Sequence, residues 1–486
     1  MLADDRLADF FFHAQGAAAP VLQQFFGRDR VRPILGCGRM IDRRSHRGFG
    51  VQVHPPPQYI DAVTPAGGQF GQQENPMLFD PTRHEPLRTA PWSEARARAA
   101  IERIVRDTEA TFSAEKFWPM HPKDADPRET EPAYTLYFGA SGVIWALRYL
   151  HAVGAIDRTR DYAPYLDTIL ERNRAWLGSF GNEYASYLMG ETSILLLKQW
   201  FQPDASTGAR LEQLIAGNLN HPARELMWGS PGTLLAALFL HEWTGETRWA
   251  DLYRATTRKL WSELLWSNKH QCHYWTQDMY RRTSTYIDGV HGFAGTASPL
   301  IRGRHFLAPG EWDAWLPVII DTVTRTVTWE GSMANWWPSL HAIETRPGPM
   351  LMQYCHGAPG FAICLADLPG TELHELLIAG GEATWAAGPL TKGSNLCHGT
   401  GGNGYAFLKL YQLTQDEMWL QRARAFAMHG IEQTLADAAQ YGHMRYSLWT
   451  GDPGFAIYLW DCIRGRGAFP TLDVFFSDVR TGSRSP

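Results

Sequence analysis

The chain has 486 residues, 44% hydrophobic and 20% charged, the profile of a folded protein with a large core rather than a disordered one. A formal net charge of -5 offers no global basic field to draw nucleic acid, and no apolar stretch approaches the roughly 18–20 residues of a membrane helix, so neither nucleic acid nor membrane insertion is expected. Six cysteines are sparse and lack a disulfide-framework spacing, so a reducing, cytoplasmic setting is expected, where free thiols are candidates for metal binding.

The N-terminus, MLADDRLADFFFHAQG, carries acids where a secretory signal carries bases, and residues 5–26 read as an amphipathic helix. From Arg28 to Arg88 the chain is rich in Pro, Gly and Arg and reads as an extended arm or lid. Ser93 to Phe112 reads as a helix, with Ser93 as its cap and Glu94 in its first turn. The expected organisation is an N-terminal extension over residues 1–130, a repeat domain over 131–470 and a tail over 471–486.

The repeat domain is legible as seven units. Each has a short apolar or aromatic lead-in, a Gly-x-x-Gly or close variant, then an apolar helix. The leading glycines are Gly139, Gly190, Gly229, Gly292, Gly357, Gly399 and Gly451. The second place holds glycine except in the second unit, which has Ser193. Spacings run from 39 residues (Gly190 to Gly229) to 65 (Gly292 to Gly357), room for two helices and two loops. Apolar helices alternate with more polar ones such as Thr247 to Trp266 and Asp416 to Leu435. That alternation predicts an inner and an outer ring, an all-α toroid of seven helical hairpins with the glycine loops gathered at one end. An open helical solenoid is the alternative.

Two units carry Cys-His-Gly, at Cys355-His356-Gly357 and Cys397-His398-Gly399. If the loops gather, the cysteines converge, and Cys355, Cys397 and His398 become three ligands of a tetrahedral zinc site whose fourth position stays open to water or a substrate sulfur. A closed site using His356, or no metal at all, remains possible on the residues alone. His291 occupies the same register as His356 and His398. Glu225 stands four residues before Gly229 and by itself reads as a helix-end or surface carboxylate. Lys392 and Arg445 could meet an anionic substrate; a solvated lysine is the bland reading, and Asp452 is similarly ambiguous.

The paired Cys-His-Gly loops, His-Gly-Phe-Ala-Gly and the seven glycine units resemble lanthionine synthetase C-like proteins over about residues 130–465. YCHGAPG and LCHGTGGNGYAFLKLYQLTQD look most like the stand-alone branch that adds glutathione to dehydroamino acids. The resemblance implies a seven-fold α/α toroid, zinc on Cys355, Cys397 and His398, and His291 as the acid/base residue. Glu225 would replace the Asp of bacterial cyclases, and Lys392 would match a glutathione-contacting lysine. A second glutathione-contacting loop is shortened here around His443 to Arg445, where Arg445 stays a candidate anion contact. His356 joins Lys392 and Arg445 as a substrate-binding candidate.

The expected activity is therefore zinc-dependent activation of a thiol, glutathione or a peptide cysteine. The thiol would add to dehydroalanine or dehydrobutyrine in a dehydrated peptide or protein, giving a thioether. A non-catalytic zinc- and thiol-binding scaffold is the alternative. A carbohydrate-active α/α barrel would need a carboxylate pair, and Glu225 has no obvious partner in the sequence. A prenyltransferase subunit also activates a thiol on zinc, but its ligand pattern differs.

Overall fold

The computed structural model describes residues 77–124, 132–178 and 183–476. The helix read over residues 5–26, Cys37, most of the arm and residues 477–486 lie outside the described residues.

Each of the seven leading glycines is the residue that opens a helix. The inner helices are α2 (Ala140–Ala152), α4 (Glu191–Phe201), α6 (Ser230–Thr244), α8 (Phe293–Arg302), α11 (Ala358–Leu365), α13 (Thr400–Thr414) and α15 (Asp452–Arg464). Their residues are buried nearly all round, as in α6, where Ser230 to Leu240 is buried without a break. A helix apolar on every face is stable only when enclosed. Each buried Leu, Val or Phe there contributes roughly 1.5–3 kcal/mol.

The outer helices are α1 (Glu94–Thr111), α3 (Leu166–Gly178), α5 (Ala205–Asn218), α7 (Thr247–Ser262), α9 (Pro309–Thr326), α12 (His374–Ala387) and α14 (Glu417–Tyr441). They are one-sided: in α7, Trp249, Tyr253, Thr256, Thr257 and Leu260 face inward. Ser93 caps α1 by accepting from the Arg96 N–H, as the sequence indicates. Helix α1 packs on α15 and α14, so a helix read as part of the extension supplies the outer partner of the last inner helix.

The ring closes. Successive inner helices touch all the way round, and α15 returns to contact α2. The second glycine of a unit permits the loop to cross its own helix. A Cβ at Gly402 would collide with the Leu396 carbonyl oxygen, and one at Gly454 with that of Leu448.

Three short antiparallel hairpins decorate this frame: β1 (Leu265–Ser267) with β2 (Cys272–Tyr274), β3 (Gln277–Met279) with β4 (Arg282–Ser284), and β5 (Val327–Glu330) with β6 (Met333–Trp336). A short helix, α10 (Leu340–Thr345), follows the last of them.

The chain after α15 turns into the core. Phe469 stacks on Tyr354 with ring centroids 4.7 Å apart, Tyr187 Oη donates to the Thr471 carbonyl at 2.6 Å, and Phe475 and Phe476 pack against Trp145. Thr471 to Phe476, read from sequence as the start of a tail, thus fill the middle of the ring. Lys409 on α13 anchors this segment through Asp473 at 2.9 Å. Among the described residues, no helix is long and apolar enough to cross a membrane.

Candidate metal centre and active site

The site is built by one loop register repeated seven times. Two residues before each leading glycine stand Tyr137, Leu188, Met227, Val290, Cys355, Cys397 and Trp449. Their backbones, with Leu226 donating in place of Met227 in the third unit, hydrogen-bond from loop to loop: Tyr137 N–H to Leu188 O, Leu188 to Met227, Leu226 to Val290, Cys355 to Cys397, Cys397 to Trp449, and Trp449 back to Tyr137. Between the fourth and fifth units, Tyr354 Oη donates to Gly289 O at 3.0 Å. This belt makes Cys355 and Cys397 neighbours across 42 residues of sequence.

One candidate metal cluster emerges among the described residues. One ligand atom each from Cys355, Cys397 and His398 lies within 4.8 Å of the others, and all three residues are buried. His398 Nδ1 is buried without a hydrogen-bond partner, which is costly for an imidazole nitrogen unless something else meets it. Burial, then Lys392 and Arg445, hold the His398 pKa well below its ordinary value, so the ring is neutral, the form that can ligate. Tyr137 Oη donates to Cys397 Sγ at 2.9 Å and Gln353 Nε2 to Cys355 Sγ at 2.9 Å. Burial raises the Cys397 thiol, but hydrogen bonds from Cys355 and Tyr137 and the charges of Lys392 and Arg445 outweigh it and hold its pKa down.

The position four before each glycine is also polar throughout: Thr135, Ser186, Glu225, Asp288, Gln353, Asn395 and Ser447. Several of these side chains cap their own loop. Glu225 accepts from the Met227 and Trp228 N–H groups, Asp288 from those of Val290 and His291, and Asn395 from that of His398. In the third and fourth units the capping carboxylate also reaches the histidine of the next loop. Glu225 Oε2 lies 2.8 Å from His291 Nδ1, and Asp288 Oδ2 lies 2.7 Å from His356 Nδ1. Burial lowers the His291 pKa, but Glu225, then Asp288 and Cys355, raise it above its ordinary value. His356 is likewise raised, against burial, by Cys355 and Asp288. Tyr286 lies against both imidazoles, 5.8 Å from His291 and 6.3 Å from His356 between ring centroids.

Glu225 is thus fully buried and paired, not a surface carboxylate. Lys392 is half-buried, and burial and the Arg83 charge bring its pKa down to about 8. Arg445 is buried, with its guanidinium on Asp124 (Nε to Oδ2, 2.7 Å) and its backbone N–H on Asp452. Asp452 is buried and its carboxyl pushed up to about 6, chiefly by burial.

Sequence reasoning missed Asp288, Tyr137, Gln353 and Arg83. The recurrent polar residue four before each glycine was a readable signal for Asp288 and Gln353. Arg83 carried none. It arrives because residues 83–85 run along the sixth loop, with Thr391 N–H on Arg83 O and Glu85 N–H on Pro389 O, and its Nη2 then donates to Gln353 Oε1 at 3.0 Å.

The chain matches the family described as lanthionine synthetase C-like protein over residues 126–474. It is 27% identical over 377 residues to a zebrafish (Danio rerio) protein named glutathione S-transferase LANCL1, covering 72% of this chain and 87% of that protein. It is 31% identical over 251 residues to the Arabidopsis thaliana LanC-like protein GCL1, covering 49% of this chain and 54% of that one. Among solved structures it is similar to nisin cyclase, with a TM-score of 0.55 at 16% identity over 80% of this chain and all of the other, a likeness of fold. Closed ring, glycine-led inner helices and family match agree: this chain belongs to the lanthionine synthetase C-like family.

Proposed function

We propose that this protein joins a thiol to the β-carbon of a dehydroalanine or dehydrobutyrine residue, forming a thioether, with zinc held by Cys355, Cys397 and His398. The observation that carries the reading is the convergence, on one belt of loops, of that buried cluster with the Glu225–His291 pair. The donor set fits the ion: two thiols and one neutral imidazole, that of His398, whose Nδ1 is buried without a hydrogen-bond partner. Bound there, zinc would lower the pKa of an incoming thiol, which otherwise lies near ~8.5.

The chain's own residues supply the rest. Tyr137 and Gln353 hold the two sulfurs in place by hydrogen bonds. The sulfur–carbon bond forms as the carbon–carbon π bond breaks, and negative charge passes to the α-carbon and its carbonyl. His291 delivers a proton to the α-carbon, and Glu225 fixes its tautomer and carries its charge. The proton lost by the thiol balances the one delivered. Arg83 and Lys392 lie around Cys397 and His398 and favour a thiol that bears carboxylates, such as glutathione. The Arg445 guanidinium, by contrast, is taken up by Asp124 and is not a contact for one. The zebrafish relative's name supports that choice over a peptide cysteine.

The test is mass spectrometry of a dehydroalanine peptide incubated with glutathione and zinc-loaded protein, beside Cys397→Ala. An adduct formed only by the intact protein is expected. No adduct with zinc bound would overturn the glutathione reading in favour of peptide cyclisation or a zinc- and thiol-binding scaffold.

A further inference from the structure

Beside the Glu225–His291 pair lies a cleft of about 490 Å³ that the mechanism above does not use. Trp228, Met279 and Tyr280 give it an apolar side, and Glu183, Asp278 and Arg281 are among the charged residues that line the rest. Trp228 ties it to the active site. It occupies the place immediately before a leading glycine, the register that puts His291, His356 and His398 at the mouth. Its backbone N–H binds Glu225 Oε1 at 2.5 Å, and its indole Nε1 donates to Tyr280 Oη at 2.8 Å. One face of the cleft is therefore built on the loop that carries the carboxylate.

The other face is the β3–β4 hairpin. Met279 pairs with Arg282, leaving Tyr280 and Arg281 as the two-residue turn. Both are left-handed, with φ of 51° and 58°. Such turns strongly favour Asn-Gly, because side chains at positive φ cost stability. Retaining a tyrosine and an arginine there is unfavourable for the turn alone. It puts an aromatic ring and a cation where the cleft opens. Backbone strain of this kind concentrates at functional positions.

The geometry points to this cleft as the subsite for the acceptor peptide: it holds a large apolar or aromatic side chain flanking the dehydro residue, with Tyr280 as the specificity-determining wall. This rests on the thioether-forming reading and adds which neighbour of the dehydro residue the protein recognises, and where. The volume suits a side chain and its flanking backbone.

Tyr280→Asn with Arg281→Gly installs the preferred turn, which offsets part of the loss of the Trp228 hydrogen bond, while the wall is removed. Arg281→Gly alone, which keeps Tyr280 and that bond, is the control for the turn change, and thermal melting confirms that both are folded. Two acceptors are compared, a Phe-dehydroalanine-Gly peptide and N-acetyl-dehydroalanine methylamide, as the ratio of their kcat/KM values with glutathione. The double variant should lower that ratio about tenfold or more, mainly through KM for the peptide. Binding of the unreactive Phe-Ala-Gly peptide, measured by calorimetry, should weaken in parallel. An unchanged ratio and unchanged peptide affinity would overturn the subsite. Hairpin-dependent binding without turnover of either acceptor by the parent would instead keep the subsite and overturn the proposed chemistry.

Discussion

Glu225 and His291 are 66 residues apart in sequence, yet Glu225 Oε2 and His291 Nδ1 lie 2.8 Å apart with both side chains buried. The contact is possible because Leu226 N–H bonds to Val290 O and holds the third loop against the fourth. A carboxylate on one ring nitrogen leaves the other free to act on substrate.

A histidine donates from its doubly protonated form. Burial lowers the His291 pKa, but Glu225, then Asp288, outweigh it and raise it. The donor is therefore in its working form below that raised value, and turnover should fall as pH rises through it, while thiol and ligand protonation limits turnover on the acid side. Glu225→Gln removes the contact that raises it most, and the alkaline limb of the kcat profile should move to lower pH. His291→Ala should keep its zinc and lose ~10²–10⁴-fold in kcat. Undiminished turnover in His291→Ala would remove it from the reaction.

Zinc content should separate the cysteines. Cys355→Ala and Cys397→Ala should each lose bound zinc on dialysis against a chelator. Cys364 and Cys462 are buried but outside the cluster, so their alanine variants should retain about one zinc per chain in elemental analysis.

The second glycines should be intolerant. In Gly402→Ala the new Cβ meets the Leu396 carbonyl, a backbone atom that cannot yield without moving Cys397. A loss of ~1–3 kcal/mol in denaturant unfolding and weaker zinc retention are expected. Gly217→Ala, on the exposed side of α5 with nothing within 4 Å, should stabilise by ~0.5–1 kcal/mol.

Asp461 should make stability fall with rising pH. It is buried in α15, accepts from Tyr405 Oη at 2.8 Å, and burial pushes its carboxyl up to about 8. The unfolded chain releases that proton near pH ~3.9. The folded chain keeps it, so this contribution is complete below about pH 4 and is lost as pH rises towards 8. Asp461→Asn should raise the melting midpoint at pH 8 and change it little near pH 4; equal shifts at both would contradict the assignment.

Much of this was legible without coordinates. Gly139, Gly190, Gly229, Gly292, Gly357, Gly399 and Gly451 mark the start of every inner helix, because at each of them the loop folds back so closely that a Cβ would meet its own backbone. The Cys-His-Gly pair named the cluster because equal register in a closed ring means one shared mouth. Spacing alone read Glu225 as a helix-end or surface carboxylate, and only the family resemblance put it in the site, since one-dimensional spacing says nothing of which loop lies beside which.

Sequence alone determined what repeats: seven apolar helices, their glycine starts, and the thiols and imidazoles beside them. The tertiary structure decided what meets across the ring: Glu225 with His291, Asp288 with His356, Arg83 with Gln353, Tyr280 with Trp228. Periodicity is a local property of the chain, enforced by burial and by backbone sterics. Pairing between loops depends on ring closure and on irregular segments docking over it, and neither leaves a local trace.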